Sequence, residues 1–118
     1  MHLESVRAVV TGGASGLGFA VAKFLVANGG KVALFDVNAE RGAAAVAELG
    51  AGNAHFFRTD VSDEAGVAAN VQAAKDALGG LNAAINCAGI LGAGRVLGKE
   101  GAMPLSTFAT TVMVYLVG

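Results

Sequence analysis

The stretch TGGASGLG, residues 11–18, lies between an apolar run and a helical pattern. Residues 6–10 have the nearly continuous apolar character of a buried parallel strand, and residues 19–28 place apolar side chains at helical spacing. A strand, a glycine-rich turn and a helix in this order predict a phosphate-binding loop, because free N–H groups and the positive end of the helix dipole face an anion there. The alternative is a glycine-rich connection that holds no ligand.

Each of three glycines in this stretch has an expected role. Gly12 is expected to form the tight turn, Gly16 to let a ligand approach the main chain, and Gly18 to let the helix pack closely on the strand. The spacing Gly-x-x-x-Gly-x-Gly, preceded by Thr11, resembles the short-chain dehydrogenase/reductase family. The loop residues that this resemblance assigns to cofactor binding are Gly12, Ser15, Gly16, Leu17 and Gly18.

Composition limits the class of protein. The 118 residues suffice for one domain at most, and no repeat, linker or second domain is visible. Apolar residues make up 54% and charged residues 14%, which favours strands buried on both faces. A net charge of −1 gives no electrostatic footprint for nucleic acid.

Other features of the chain point to a soluble, reduced protein. The uncharged stretches 77–94 and 101–118 are broken by glycine and polar residues, so no membrane-spanning helix is expected. The single Cys87 excludes an internal disulfide and fits a reducing compartment. We therefore expect a cytoplasmic protein with no nucleic-acid or membrane partner and, since the two histidines stand apart, no metal site.

Strand-like and helix-like segments alternate after the glycine stretch. Strands are predicted at residues 32–35, 55–58 and 83–86, and helices at residues 40–49 and 64–78, the latter with Ser62 as its N-cap. This alternation predicts an α/β fold with a doubly wound parallel sheet and right-handed crossovers, of the Rossmann type. Residues 90–104 are predicted to form a loop, followed by a helix from about Leu105 with Ser106 as its cap.

Asp36 closes the second predicted strand, 18 residues after Gly18. In a dinucleotide-binding fold an acid at this place accepts hydrogen bonds from the adenosine ribose. The carboxylate also repels a 2′-phosphate, and the neighbouring loop residues Ala14 and Ser15 carry no charge, so NAD is predicted as the cofactor in preference to NADP. The alternative is an aspartate that only forms a turn.

Two further motifs follow later strands. Asp60-Val61 resembles the family's Asp-Val pair, whose carboxylate meets the adenine amino group while the next residue packs beside the ring; a solvated turn acid is the alternative. The fourth strand ends in a motif that resembles the family's Asn-Asn-Ala-Gly, with a cysteine replacing the second asparagine. That cysteine is expected to be a packing residue near the cofactor ribose rather than a nucleophile. The residues of this motif are Asn86, Cys87, Ala88 and Gly89.

Within the family, the cysteine variant and the long segment 90–105 resemble the type 2 3-hydroxyacyl-CoA dehydrogenases. That resemblance implies an NAD-dependent homotetramer that acts on a small alcohol or ketone, including acyl-CoA substrates, by hydride transfer. A 3-oxoacyl carrier-protein reductase or another family member is an alternative within the same enzyme class. A non-catalytic dinucleotide-binding fragment is an alternative from a different class.

The end of the chain departs from the family pattern. Tyr115 stands where the family's Val-Asn-Leu-x-Gly segment has an asparagine that holds a relay water. The resemblance places the catalytic Ser, Tyr and Lys beyond Gly118, so residues 1–118 are expected to be the N-terminal portion of an NAD-binding domain, inactive alone. A parallel sheet cut after its fourth strand would leave that strand with an open edge, and self-association is expected from it.

Overall fold

Strands and helices alternate along the first 89 residues of the computed structural model, which describes residues 2–14, 16–89, 102–106 and 110–116. A short 3-10 turn at Leu3–Ser5 precedes them. The elements of the described residues are β1 (Arg7–Thr11), α1 (Gly16–Ala27), β2 (Lys31–Asp36), α2 (Ala39–Leu49), β3 (Ala54–Arg58), α3 (Glu64–Leu78), β4 (Ala83–Gly89), β5 (Ala102–Ser106) and β6 (Thr110–Leu116).

The described strands form one sheet in the order β3-β2-β1-β4-β6-β5. The first four strands are mutually parallel, since β1 pairs with β2 and β4, and β2 pairs with β3, all in parallel register. Helices α1 and α2 cover one face of the sheet and α3 covers the other. The predicted doubly wound parallel sheet is therefore confirmed.

Successive residues of each central strand point to opposite faces of the sheet. In β1, Ala8 and Val10 join the core under α1 and α2, while Val9 joins the core under α3. Both sides of the strand are thus apolar, which explains the nearly continuous hydrophobic run at residues 6–10. Among the described helices, none has the length and apolar character needed to cross a membrane.

Strand β6 and the end of β5 replace the helix predicted from Leu105, so that prediction is wrong, and the start of β5 replaces residues 102–104 of the predicted loop. Strand β6 runs antiparallel to β4, with Gly89 opposite Thr110 and Ala83 opposite Leu116, and β5 pairs with the far side of β6. The sequence TTVMVYL of β6 is rich in β-branched and aromatic residues, which favour strands over helices. The predicted open edge of β4 is also wrong, because β6 covers it. Residues 90–101 of the predicted loop lie outside the described residues.

The N-cap of α3 is Asp63 rather than the predicted Ser62. The Asp63 carboxylate accepts a hydrogen bond from the Gly66 amide at 3.1 Å. A cap must reach the amide three positions ahead, and Ser62 lies one residue too early for a helix that begins at Glu64. Ser62 is instead engaged with Asp60.

The amino ends of β1 and β4 are joined by the side chain of Asn82. Its Oδ1 accepts from the Arg7 amide at 2.7 Å, and its Nδ2 donates to the Ser5 carbonyl at 2.7 Å. The Asn82 amide also donates to the Arg7 carbonyl at 3.0 Å. One residue thus fixes β4 beside β1, which sets the position of the carboxyl end of β4 relative to the glycine-rich turn.

Candidate functional site

The glycine-rich turn emerges from the carboxyl end of β1 and is compressed on two sides. Gly12 has a φ of 67°, and a Cβ there would overlap the Cys87 carbonyl oxygen of β4. A Cβ at Gly18 would overlap the Gly12 carbonyl oxygen, so the close approach lies between α1 and the turn itself. Gly16 differs, since its φ is 59° and no described atom lies within 4 Å of its Cβ position. The turn is therefore open at Gly16 alone among these three glycines.

Backbone hydrogen bonds hold the turn against β2. The amides of Gly12 and Gly13 both donate to the Phe35 carbonyl, at 2.7 and 3.4 Å. Helix α1 begins immediately after the turn, and the first amides of a helix have no partner within it. Those amides and the helix dipole create a positive potential beside the open side of the turn, which suits a phosphate group. Ser15, also predicted to bind the cofactor, lies outside the described residues.

Asp36 lies at the carboxyl end of β2, in contact with the glycine-rich turn. Its Oδ2 accepts a hydrogen bond from the Ala14 amide at 3.2 Å, and its Oδ1 accepts from the Asn38 amide at 3.2 Å. The carboxylate is half-buried and oriented by these two bonds. The structure thus places this carboxylate directly beside the predicted phosphate-binding loop.

Asp60 lies two residues beyond β3, at the same edge of the sheet. Its Oδ1 accepts hydrogen bonds from the Ser62 hydroxyl at 2.6 Å and the Ser62 amide at 2.9 Å. The hydroxyl bond is the main cause that lowers the pKa of the Asp60 carboxyl below its ordinary value. Because both bonds end on Oδ1, the second oxygen of this exposed carboxylate accepts none among the described residues.

Apolar side chains stand beside these acids with much of their surface exposed. Val37 follows Asp36 and is 58% exposed, and Val61 follows Asp60 and is 43% exposed. Leu17, in the first turn of α1, is 37% exposed. Exposed apolar surface next to carboxylates suits a ligand that combines a flat apolar ring with hydrogen-bond donors.

Asn86 of β4 joins β1 through a buried polar contact. The Thr11 hydroxyl donates to Asn86 Oδ1, and Asn86 is 1% exposed. Its Nδ2 is buried and has no hydrogen-bond partner among the described residues. Such an unpaired donor costs about 1–3 kcal/mol, so a ligand or an ordered water that accepts from it would recover stability.

Three of the remaining predicted site residues, Cys87, Ala88 and Gly89, lie in the second half of β4, and Tyr115 lies elsewhere. Cys87 is buried, and burial raises the pKa of its thiol from the ordinary 9.0 to about 11, which disfavours the reactive thiolate. The backbones of Ala88 and Gly89 lie at the carboxyl end of β4, opposite β6. Tyr115, however, pairs with Ala84 near the amino end of β4, so the structure does not bring its backbone to this edge.

Three residues that the sequence analysis did not select also contribute to this edge. Thr11 orients Asn86, while Thr59 and Asn70 hold the segment that leads to Asp60. Thr11 belongs to the quoted stretch, so its hydroxyl could have been selected. Asn70 is a polar, weakly helix-forming residue within an alanine-rich helix, and that mismatch is the signal that could have found it.

The arrangement as a whole suits a dinucleotide. It combines an open glycine turn at a helix N-terminus, an oriented carboxylate beside that turn, and a buried unpaired amide in the middle of β4, level with the end of β1. Ligands of doubly wound sheets bind in the crevice outside the carboxyl ends of the strands. Gly16 would admit a pyrophosphate, and Asp36 would accept hydrogen bonds from a ribose. Among the described residues, no cluster of His, Cys, Asp and Glu could hold a metal ion.

Comparison with known proteins agrees with this geometry. The family profile of the short chain dehydrogenases matches residues 6–118. A 2-dehydro-3-deoxy-L-rhamnonate dehydrogenase (NAD(+)) of a Sphingomonas species is 50% identical over 86 residues, which are 73% of this chain and 34% of the relative. The type 2 3-hydroxyacyl-CoA dehydrogenase of Rattus norvegicus is 39% identical over 118 residues, covering 98% of this chain and 45% of the relative.

Solved structures show the same fold. A short chain dehydrogenase from Bacillus anthracis superposes with a TM-score of 0.65 at 19% identity, covering 70% of this chain and 34% of that one. The C-domain of a bacterial malonyl-CoA reductase, solved with NADP, superposes with a TM-score of 0.63 at 28% identity, covering 69% and 14%.

The chain belongs to the short chain dehydrogenase family. This confirms the resemblance seen in the glycine spacing, in the motif after β3 and in the motif within β4. The family consists of oxidoreductases, and membership implies a nicotinamide dinucleotide as the cofactor. The chain spans 34% and 45% of the lengths of the two curated relatives described above.

Proposed function

We propose that this chain forms the cofactor-binding part of an NAD-dependent dehydrogenase that transfers a hydride between a secondary alcohol and NAD. The observation that carries the proposal is the Asp36 carboxylate, hydrogen-bonded to the Ala14 amide of the glycine-rich turn. An acid in this position would accept hydrogen bonds from both hydroxyls of a ribose whose pyrophosphate lies on that turn. The same charge would repel the 2′-phosphate of NADP.

The residues of this chain would bind and orient the cofactor. The first amides of α1 would donate to the pyrophosphate, and Val37 and Val61 would offer apolar surface to the adenine ring. Asn86 would donate from its unpaired Nδ2 to the ligand, or to a water beside it, level with the end of β1. When bound, the dinucleotide supplies the hydride-accepting nicotinamide.

For the substrate we propose a 3-hydroxyacyl-CoA. For the location of the protein we propose the cytoplasm. Support comes from the 39% identity to a type 2 3-hydroxyacyl-CoA dehydrogenase and from the cysteine in the fourth-strand motif. In this proposal the family's Ser, Tyr and Lys, which transfer the proton, lie outside residues 1–118. Residues 1–118 alone would therefore bind dinucleotide without oxidising an alcohol. A preference for NADPH and a 3-oxoacyl carrier protein would favour the reductase alternative.

The cofactor assignment is tested by titrating NAD and NADP into the full-length protein and its Asp36→Asn variant. The unmutated protein should bind NAD more tightly than NADP. Loss of one charge-assisted interaction in Asp36→Asn should reduce that preference about tenfold or more. Asp76→Asn is the matched control, because it removes the same charge from the exposed face of α3, where the carboxylate contacts Gln72. Equal or tighter NADP binding by the unmutated protein would contradict the proposal.

A further inference from the structure

We propose that Asn70 of α3 is a positioning residue for the adenosine end of the cofactor, acting through Thr59 to hold the turn that carries Asp60 against the end of β2. The inference rests on the proposed dinucleotide function. It concerns two residues that carry no expected contact with the cofactor and that the family motifs do not include. Four hydrogen bonds around Thr59 support it.

Thr59 connects the ends of the two strands that carry the acids. Its amide donates to the Asp36 carbonyl at 2.8 Å, which extends the β2–β3 pairing by one residue beyond β3. Its hydroxyl donates to the Phe57 carbonyl at 2.8 Å, and its side chain is almost fully enclosed at 3% exposure. The next residue along the chain is Asp60, so the position of Thr59 decides how Asp60 lies relative to Asp36.

Asn70 holds Thr59 from the second turn of α3. Its Nδ2 donates to the Thr59 hydroxyl at 2.9 Å and to the Arg58 carbonyl at 3.1 Å. The amide group has two N–H donors, and both are used on consecutive residues of the strand end. The Thr59 hydroxyl in turn accepts one bond and donates one. This small network ties the end of β3 to the helix that follows it.

The turn after Thr59 is held by contacts of its own. The Asp63 amide donates to the Asp60 carbonyl at 3.0 Å, and the Asp60 carboxylate accepts from Ser62. These bonds fix the shape of residues 60–63 but do not attach them to β2. The attachment to the sheet runs through Thr59, and Asn70 is the side chain that holds Thr59 in place. Removing Asn70 should therefore leave the turn intact but less well placed against the Asp36 side of the site.

The test compares cofactor-fragment binding in variants of the full-length protein. We expect Asn70→Ala to weaken the binding of 5′-AMP and of NAD about three- to tenfold, as expected for the loss of one or two neutral hydrogen bonds. The KM for NAD should rise by the same factor, while kcat at saturating NAD should change less than twofold, because the contact acts only on the adenosine end. Alanine is a better helix former than asparagine, so the variant should keep α3 folded.

Gln72→Ala is the matched control on the same helix. The exposed Gln72 hydrogen-bonds Asp76 within α3 and forms no hydrogen bond to β3 among the described residues, so this variant should bind 5′-AMP like the unmutated protein. Thr59→Val removes the hydroxyl with little change in shape and should weaken 5′-AMP binding like Asn70→Ala. Thr59→Ser keeps the hydroxyl and should bind 5′-AMP like the unmutated protein. The double variant Asn70→Ala/Thr59→Val should weaken 5′-AMP binding by less than the product of the two single-variant factors, because both substitutions remove the same Asn70–Thr59 hydrogen bond.

The outcomes separate this inference from the proposed function. If the unmutated protein binds NAD and 5′-AMP but Asn70→Ala and Thr59→Val bind both equally well, the positioning role is wrong. A drop in melting temperature with unchanged dissociation constants would show a purely structural role and would also overturn it. If the unmutated protein binds no NAD, NADP or 5′-AMP, the proposed function fails and this inference fails with it.

Discussion

Gly18 has no room for a side chain, because a Cβ there would lie 2.6 Å from the carbonyl carbon of Gly12 and overlap its oxygen. The neighbouring atoms are backbone, which cannot rotate away. We expect Gly18→Ala to lower the free energy of unfolding by about 1–3 kcal/mol, as overpacking does, and to weaken NAD binding by shifting the turn. Chemical denaturation and NAD titration measure the two effects.

A control for this substitution is Gly52→Ala, since no described atom lies within 4 Å of the Cβ position of Gly52. That variant should keep the stability and the NAD affinity of the unmutated protein. If Gly18→Ala behaves like Gly52→Ala, then α1 does not approach the turn as closely as the structure shows.

Cys87 should make the protein sensitive to alkaline pH. Its thiol has a pKa of about 11 in the folded chain against an ordinary value of 9.0, because burial disfavours the thiolate. The unfolded chain releases this proton first, so the contribution to stability is complete below pH 9 and is lost as the pH rises toward 11. The loss should reach about 2–3 kcal/mol.

Denaturation curves at pH 8 and pH 10.5 check this effect against the variant Cys87→Ala. Other groups that titrate in the same range act on both proteins, so the difference between them isolates the thiol. An equal decline of stability in the two proteins would show that Cys87 ionises freely in the folded state.

At the scale of single residues, the sequence could predict local chemistry but not long-range pairs. The turn conformation of Gly12 follows from its place in the glycine-rich stretch, and Asp36 follows from its place after an apolar strand. The contact between Thr11 and Asn86 joins positions 75 residues apart, and the sequence alone does not show that β1 and β4 are neighbours in the sheet. The unpaired Asn86 amide was therefore beyond prediction.

The start of α3 depends on Asp63, whose carboxylate accepts from the Gly66 amide. We expect Asp63→Ala to lower the free energy of unfolding by about 0.5–2 kcal/mol, because an unsatisfied helix amide replaces the cap. Ser62→Ala is the informative comparison, since Ser62 bonds Asp60 and not the helix. It should change stability by less than about 0.5 kcal/mol. A larger loss in Ser62→Ala than in Asp63→Ala would restore the original assignment of the cap.

Elements with strong periodicity and clear end signals were predicted well, and strands β5 and β6 were not. Helices α1, α2 and α3 each end before asparagine or glycine, and their boundaries differ from the predictions by only a few residues. For residues 105–118, the predicted helix relied on Ser106 as a possible cap, although the β-branched composition favoured a strand. Strand pairing decides that segment, because β6 gains a full ladder with β4 that no local propensity reveals.

The expected self-association of residues 1–118 rested on an open edge at β4. With β6 paired there, the edges of the described sheet are β3 and β5, at its two ends. Edge strands can still pair with other chains. The central strand is not one of them, so the physical reason for expecting aggregation is weaker than the sequence suggested.

The backbone amides of β4 are hydrogen-bonded to two different strands, β1 on one side and β6 on the other. The Cys87 carbonyl lies beside Gly12, which follows β1, so by alternation the amides of residues 85 and 87 face β1 and those of residues 84 and 86 face β6. We expect both sets to exchange with deuterium at the same slow rate, limited by global unfolding, and the β3 amides to exchange faster through local fraying. NMR-detected exchange resolves each amide. Rapid exchange at residues 84 and 86 alone would show that β6 separates from β4 while the parallel core stays closed.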